Sequence, residues 1–200
     1  TANEGEPNRD YSIDPPGTVS IINISEGFEK IDKKAVKTVG FEAYDDIKPP
    51  KSKKKLETWV SPLAGAIVKP GTKPSLDFEP EYLAICPDNL TAFVTLQEAN
   101  AVAVINIAEA SLTKLIGLGF TDYSKHGLDP SDKDNMVAIR PYKNVFGIYQ
   151  PDGIASFSVD GVTYFVTANE GDSRKYSTYA DEVRAANIKL DPTAFPNAAA

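Results

Sequence analysis

The sequence predicts an all-β protein of the β-propeller class, built from four-stranded antiparallel sheets of which about three are visible. Two observations support this prediction: short runs of β-branched and aromatic residues, and the recurrence of those runs along the chain. Most runs are bounded by Gly, Pro, Asn or Asp, as strands between tight turns are. Clear strands are predicted at Thr18–Ile24, Tyr82–Cys86, Ala92–Leu96, Ala101–Ile107, Ile154–Val159 and Val162–Thr167, and weaker ones at Ala35–Phe41 and Leu112–Leu118.

The chain repeats short motifs, which indicates blades of a common design. The sequence TANEGE at Thr1–Glu6 recurs as TANEGD at Thr167–Asp172, with a looser copy, TLQEAN, at Thr95–Asn100. In the same way, GTVSIINI at Gly17–Ile24 is matched by NAVAVINI at Asn100–Ile107. Units that repeat in this way predict equivalent turns at equivalent places in successive blades.

The clearest predicted blade spans residues 81–119, and the whole chain, 1–200, is predicted to belong to one propeller domain. Residues 1–41 supply the latter part of the preceding blade, and residues 152–168 open the following one. Because known rings have roughly 4–8 blades, we expect the remainder of a longer chain to complete this one.

Two segments depart from the strand pattern. Residues 42–76 are predicted to form a Lys- and Pro-rich loop insertion. Its Lys48–Lys55 tract is interpreted as solvated, with an anion contact as the alternative. Tyr179–Ile188 carries helix-forming residues at helical spacing and predicts a short helix.

The meander topology of a blade predicts where its turns lie. The turn between strands 2 and 3 shares one end of the sheet with the connection to the next blade. Acidic residues concentrate in those connections and at the start of innermost strands. We therefore expect one face of the propeller, the top face, to gather the following carboxylates: Glu4, Glu6, Glu79, Glu81, Glu98, Asp129, Asp132, Asp134, Asp152, Glu170 and Asp172.

The densest acidic segment is Asp129–Asn135, in the blade-to-blade loop 119–151. Its oxygens suit Ca²⁺, which takes roughly 6–8 oxygen ligands, although the loop lacks the glycine and final glutamate of an EF-hand. A solvated turn is the alternative for this loop, and tight turns are the alternative for the Asn-Glu-Gly motifs. Carboxylates held close together repel one another unless a cation joins them, which favours a calcium site. The predicted ligands are Glu98, Asp129, Asp132, Asp134, Asp152, Glu170 and Asp172.

Composition and charge narrow the function classes. The net charge of -7 disfavours duplex nucleic acid as a partner, and the sequence contains no apolar run long enough to span a membrane. Sequons at Asn23 and Asn89 predict N-glycosylation and an extracellular or cell-surface location. Cys86 lies in an apolar run and is predicted to be a buried, inert thiol. His126 has no second His or Cys at metal-ligand spacing, so a zinc hydrolase is not expected.

Several motifs resemble the choice-of-anchor I family, which includes the mesenchyme-specific cell-surface glycoproteins of biomineralising cells. The matching segments are Asp77–Tyr82, Val94–Glu98, Gly127–Asp129, Tyr149–Ala155, Thr167–Arg174, Leu190–Pro192 and Phe195–Asn197. The resemblance implies an extracellular propeller-like domain of a longer protein, linked to calcium-mineral deposition or to cell-surface anchoring. Ala99 and Asn135-Met136 depart from the family pattern, and the family supplies no catalytic residues to carry over.

These features predict an extracellular glycoprotein that binds Ca²⁺, and with it mineral, matrix or cell-surface proteins, rather than catalysing a reaction. One alternative is a metal-dependent phosphoesterase, as the alkaline-phosphatase-like label of some bacterial relatives implies, with Arg174 or a lysine holding the phosphate. Another is an adhesive module that makes only protein contacts. Outside the phosphoesterase alternative, Arg174, Lys175 and Arg184 are interpreted as ordinary surface residues.

Overall fold

The computed structural model describes residues 1–48, 51 and 61–193, and within them the chain is all-β with a few short helical turns. The strands form four antiparallel sheets in the order β1-β2-β3, β4-β5-β6-β7, β8-β9 and β10-β11. They are β1 (Ala2–Asn3), β2 (Thr18–Ile22), β3 (Val36–Val39), β4 (Pro80–Ile85), β5 (Thr91–Leu96), β6 (Ala101–Asn106), β7 (Ser111–Gly117), β8 (Phe120–Asp122), β9 (Phe146–Ile148), β10 (Pro151–Val159) and β11 (Val162–Asn169). The helical turns are α1 (Pro74–Asp77) and the 3-10 turns Phe28–Lys30, Glu42–Tyr44 and Ala185–Asn187.

The central sheet, β4-β5-β6-β7, is a four-stranded meander, which confirms the four strands predicted within residues 81–119. Strands β5 and β6 are nearly continuous apolar runs because both of their faces are covered. Asn89 and Asn100 have positive φ of 57° and 50° in the turns after β4 and β5, a conformation that Asn tolerates. These two turns lie at opposite ends of the sheet, as antiparallel pairing requires.

The first sheet, β1-β2-β3, covers one face of the central sheet. Val19 of β2 pairs with Val39 of β3, and both side chains are buried in the core. The long connection from β1 returns through Gly17, where a Cβ atom would lie 1.9 Å from the carbonyl oxygen of Phe78. A side chain does not fit in that gap, so the main chains of the two sheets meet directly there.

The hairpin β10-β11, here called the third sheet, covers the other face of the central sheet. The first, central and third sheets are the three main sheets of the structure. Its turn at Asp160-Gly161 has positive φ at both residues, as a tight two-residue hairpin turn requires. The rings of Phe165 and Phe93 lie 4.9 Å apart, and Ser156 Oγ donates a 2.8 Å hydrogen bond to the carbonyl oxygen of Ile85. Side chains alternate along a strand, so Phe93 faces away from the core that its neighbours build with the first sheet.

The hydrophobic core lies between the first and central sheets. Phe41 and Phe78 are fully buried and pack edge to face, with ring centroids 5.4 Å apart. Described parts of the predicted insertion 42–76 also join this core, because Leu63 and Val68 pack against it and Ile67 donates its N–H to the carbonyl oxygen of Ala99. Residues 49–50 and 52–60, which include most of the Lys-rich tract, lie outside the described residues.

Part of the 119–151 segment is ordered as strands, although a loop was predicted. Strands β8 and β9 pair from Phe120–Ile148 to Asp122–Phe146, and an isolated bridge joins Leu128 to Arg140. Both ends of the segment are held by the buried Asn100 side chain. These strands were not predicted, because β8 and β9 have only three residues each and are too short to show alternation in the sequence.

The predicted helix at Tyr179–Ile188 is wrong. The segment contains only the 3-10 turn Ala185–Asn187, preceded by a tight turn with a bridge between Lys175 and Ala180. In that turn Tyr176 N–H donates to the carbonyl oxygen of Tyr179, so backbone groups that a helix would need are already bonded. Contacts made by Arg174, described below, hold this turn against the rest of the molecule and override the local helix propensity.

Candidate acidic site

The candidate site is a group of carboxylates at one end of the three main sheets, here called the acidic cluster. Glu4 follows β1, Glu98 follows β5, and Glu170 follows β11. Glu79, Glu81 and Asp152 lie at the start of β4 and β10, at that same end, because β4 and β10 are antiparallel to β5 and β11. The cluster is defined as Glu4, Glu79, Glu81, Glu98, Asp152, Glu170 and Asp172.

Glu79 is the most deeply placed member of the cluster. Its side chain is 3% exposed, and its Oε2 atom has no hydrogen-bond partner among the described residues. Burial is the main cause that raises the pKa of Glu79 to about 9, and the negative charge of Glu98 adds to the rise. In the absence of a cation, the Glu79 carboxyl therefore holds its proton at neutral pH.

The electrostatics of Glu81 show that carboxylates from all three main sheets lie near one another. Burial raises the pKa of Glu81 to about 8, and the charges of Glu98, Glu4, Asp152 and Glu170 raise it further. Those four groups come from the first, central and third sheets. The sequence-based expectation that their turns share one face is therefore met for these residues.

Glu98 interacts electrostatically with members of the cluster that follow β1 and β11. Burial is the largest cause that raises its pKa, with further contributions from Glu4 and Asp172. The neighbouring Gln97 Nε2 donates a 3.0 Å hydrogen bond to Glu170 Oε2, which ties the turn after β5 to the residues that follow β11. Glu98 is half-buried and lines a cavity of about 420 Å³.

One buried cation lies beneath the cluster, and its role differs from that predicted. The Arg174 side chain is fully buried, and its Nε and Nη2 atoms donate to the two carboxylate oxygens of Asp77 at 3.1 and 2.8 Å. Its Nη1 atom donates to Asp181 Oδ2 at 3.0 Å and to the carbonyl oxygen of Glu98 at 3.2 Å. The interpretation of Arg174 as an ordinary surface residue was wrong, because these four bonds take up its guanidinium group.

Asn100 is a second structural residue whose role sequence reasoning missed. Its fully buried Nδ2 donates to the carbonyl oxygen of Gly119 at 2.9 Å. Its Oδ1 accepts from the N–H groups of Tyr149 and Gln150 at 3.1 and 3.0 Å. The side chain thus joins the start and end of the 119–150 segment to the turn that presents Glu98. The only sequence signal was that this Asn begins a repeated motif.

The acidic loop Asp129–Asn135 is arranged differently from the cluster. Asp129 accepts hydrogen bonds from the N–H groups of Ser131 and Ala138 at 3.4 and 3.1 Å, and Asp134 accepts from Met136 N–H at 3.3 Å. Asp132 forms an ion pair with Arg184 on the surface. These carboxylates thus satisfy turns and a surface ion pair, the arrangement given above as the alternative to a calcium loop.

The remaining candidate residues lie away from the cluster. Asn23 and Asn89 are exposed, at the ends of β2 and β4 that lie opposite the cluster. His126 is exposed in the 119–151 segment, and Cys86 is free and buried, as predicted. Among the described residues, no three His, Cys, Asp or Glu side chains stand ready to hold a metal ion together.

Antiparallel sheets with a carboxylate cluster at their shared end define a class: a β-rich domain with an acidic face. Comparison with known proteins identifies the family. The chain belongs to the choice-of-anchor I domain family, whose model matches residues 1–200. This family is one of surface-anchored or extracellular proteins. No curated protein and no solved structure matches the chain. No helix among the described residues is long and apolar enough to cross a membrane.

Proposed function

We propose that this domain is an extracellular module that binds Ca²⁺ through its acidic face and acts by binding rather than by catalysis. The observation that carries the proposal is that carboxylates at the ends of strands in three sheets lie at one end of those sheets, where burial and neighbouring negative charges raise the pKa values of Glu79, Glu81 and Glu98. Like charges held this close weaken the fold, and a bound cation removes that cost.

The chemistry of the cluster favours calcium over other metals. Its candidate ligands are carboxylates, with main-chain and amide oxygens nearby, and such oxygen sets suit Ca²⁺, whereas His and Cys select zinc or copper. Several of the carboxylates are exposed, so a bound ion would keep positions open to solvent. We propose that those positions face the partner, a mineral surface or an anionic group of matrix or cell-surface proteins.

The proposed architecture is a β-propeller in which the three main sheets are consecutive blades. The sheets follow one another in the chain, and β4 of the central sheet lies beside both β1 and β10. This is the arrangement expected around a propeller axis, with the remainder of a longer chain completing the ring. Asn23 and Asn89 are proposed as glycosylation sites at the opposite end, where glycans leave the acidic face open.

The alternative function, a metal-dependent phosphoesterase, requires a positive group beside the metal to hold the phosphate. Arg174 does not serve, because Asp77, Asp181 and Glu98 occupy its guanidinium group. Hydrolysis of a model phosphate ester in the presence of added metals separates the two functions. Calcium-dependent turnover that is lost when Glu98 is replaced would favour the enzyme.

Calorimetric titration with CaCl₂ tests the proposal directly. We expect binding with a Kd of about 10⁻⁴–10⁻³ M, as extracellular modules show, and weaker binding of Mg²⁺. The variant Glu170→Gln/Asp172→Asn should bind more weakly, whereas Glu109→Gln, at the opposite end of the central sheet, should bind as the original chain does. A chain that takes up no calcium at millimolar concentrations would contradict the proposal.

A further inference from the structure

The cavity of about 420 Å³ that Glu98 lines is not used by the proposed function. Several separate parts of the chain form its wall: the predicted insertion, the turn after β5, the end of the 119–150 segment and the residues that follow β11. The wall residues that matter for binding are Ile67, Glu98, Ile148, Gln150, Asp181 and Glu182. The volume lies within the range of roughly 300–1,000 Å³ that is typical of ligand pockets.

Gln150 is the buried polar residue of this wall, with an exposed fraction of only 6%. Its main chain is fully bonded. The N–H group donates to Asn100 Oδ1 at 3.0 Å, and the carbonyl oxygen accepts from the N–H groups of Glu170 and Gly171 at 3.2 and 3.3 Å. The side-chain amide makes no hydrogen bond to another described residue. Buried polar groups are normally bonded, so this amide is the group that Gln150 offers to a ligand in the cavity.

Three carboxylates line the cavity, and they differ in how they are paired. Asp181 accepts from Arg174 Nη1 at 3.0 Å, and Glu182 forms an ion pair with Lys175. Glu98 has no ion-pair partner among the described residues, because Arg174 binds its carbonyl oxygen and not its carboxylate. Burial also raises the pKa of Glu98. A cation in the cavity would favour the ionised form of this carboxyl and remove the cost of its burial.

Ile67 and Ile148 add apolar surface to the same cavity. Ile148 is 44% exposed, and Ile67 is half-buried with its N–H bonded to the carbonyl oxygen of Ala99. A ligand that matches the whole wall therefore has an apolar stem and a positively charged head with several donors. An arginine side chain meets both requirements, because its methylene groups pack on apolar surface and its guanidinium group is more weakly hydrated than an ammonium group.

We propose that this cavity receives an arginine side chain of a protein partner, with the guanidinium group bound by Glu98 and Gln150 and the stem against Ile67 and Ile148. Charge complementarity favours a protein with a basic surface, because the net charge of -7 attracts such a partner over long distances. Arginine is also enriched among the interface residues that fill pockets. The inference goes beyond the calcium proposal and does not depend on it, since the contact needs no metal ion.

NMR titration of the full chain in EDTA tests the inference with blocked pentapeptides, each carrying one variable residue between two pairs of glycines. The variable residue is arginine, lysine or citrulline, which has nearly the shape of arginine without its charge. We expect the arginine peptide to bind about tenfold more tightly than the citrulline peptide, because charge-assisted hydrogen bonds are the stronger ones. The lysine peptide should lie between them. Equal binding of the arginine and citrulline peptides, or no binding at millimolar concentration, would overturn the inference.

Variants of the cavity wall locate the contact. Glu98→Gln and Gln150→Met should each weaken binding of the arginine peptide by about fivefold, as the loss of one hydrogen-bonding partner implies. Glu109→Gln, at the opposite end of the central sheet, should bind as the original chain does. Thermal melting checks folding. If Gln150→Met melts lower, Ile148→Ser at its exposed position serves instead, and it should weaken the arginine and citrulline peptides by the same factor.

The remaining outcomes separate this inference from the proposed function. Unchanged affinity in both Glu98→Gln and Gln150→Met would place the peptide elsewhere on the surface and defeat the assignment. Tighter binding of free arginine than of the peptide would make the cavity a small-molecule site and exclude the protein partner. Neither result affects the calcium titration. In the same way, a chain that takes up no calcium but binds the arginine peptide in EDTA would contradict the proposed function alone.

Discussion

The acidic cluster and the loop Asp129–Asn135 carry similar charges but belong to different kinds of structure. In the loop, acidic residues are neighbours in sequence, and the described ones bind turn N–H groups or a surface arginine. In the cluster, the acidic residues are far apart in sequence, and the fold brings them together around Glu79 and Glu98. The loop carboxylates are thus bound to turn N–H groups and to a surface arginine, whereas the cluster gathers carboxylates from turns that are distant in sequence.

The largest expected effect distinguishes Arg174, the buried arginine beneath the cluster, from Arg184, the exposed arginine that pairs with the loop. Arg174→Ala should lower the free energy of unfolding by about 3–5 kcal/mol, because it leaves the buried Asp77 carboxylate without its partner. Arg184→Ala removes the exposed pair with Asp132 and should cost less than about 1 kcal/mol. Urea unfolding of both variants measures the contrast. Equal losses would mean that Arg174 is not the structural centre described above.

A pH series in EDTA tests the burial of Glu79. Its pKa is raised from 4.5 to about 9, so between those values the folded chain binds more protons than the unfolded chain does. The contribution of this carboxyl is complete below pH 4.5, and stability falls as the pH rises towards 9. Glu79→Gln should flatten that fall, whereas Asp132→Asn should leave it unchanged. Unfolding free energies measured at intervals between pH 5 and 9 give the slope.

Asn100 provides the next contrast, between a buried and an exposed asparagine that share positive φ. Asn100→Gly keeps the backbone conformation but removes the three hydrogen bonds of a buried side chain, and it should cost about 1–3 kcal/mol. Asn135→Gly makes the matching change in the acidic loop, where φ is 58°, and should change stability by less than about 0.5 kcal/mol. Denaturant midpoints measured side by side decide whether the turn that carries Glu98 is the more constrained one.

The smallest effect is expected from neutralising the loop itself. Asp129→Asn/Asp132→Asn/Asp134→Asn should shift the free energy of unfolding by less than about 1 kcal/mol, because its carboxylates are largely solvated. The shift should also be the same with and without calcium. A calcium-dependent difference, seen in melting curves recorded with CaCl₂ and with EDTA, would show that the loop takes part in ion binding.

Strands and their ends were predictable from the sequence because alternation, turn residues and repeats are local signals. They located β4 to β7, β10 and β11, and the antiparallel rule then placed Glu98 and Glu170 at a common end. The burial of Glu79 and the role of Arg174 were not predictable in this way. Arg174 lies 97 positions after Asp77 in the chain, and no local pattern encodes their contact. The prediction of a helix at Tyr179–Ile188 failed for the same reason, because contacts with residues distant in sequence overrode the local helix propensity.

The backbone approach at Gly17 has a consequence for the geometry of the acidic face. At that point the carbonyl of Phe78 and the chain leading into β2 touch without an intervening side chain. The distance from the first sheet to Phe78, the residue before Glu79, is therefore set by main-chain dimensions. These dimensions do not change when side chains are replaced elsewhere. Any residue larger than glycine at position 17 would push the first sheet away from the central sheet. The distance between Glu4 and Glu79 would then increase.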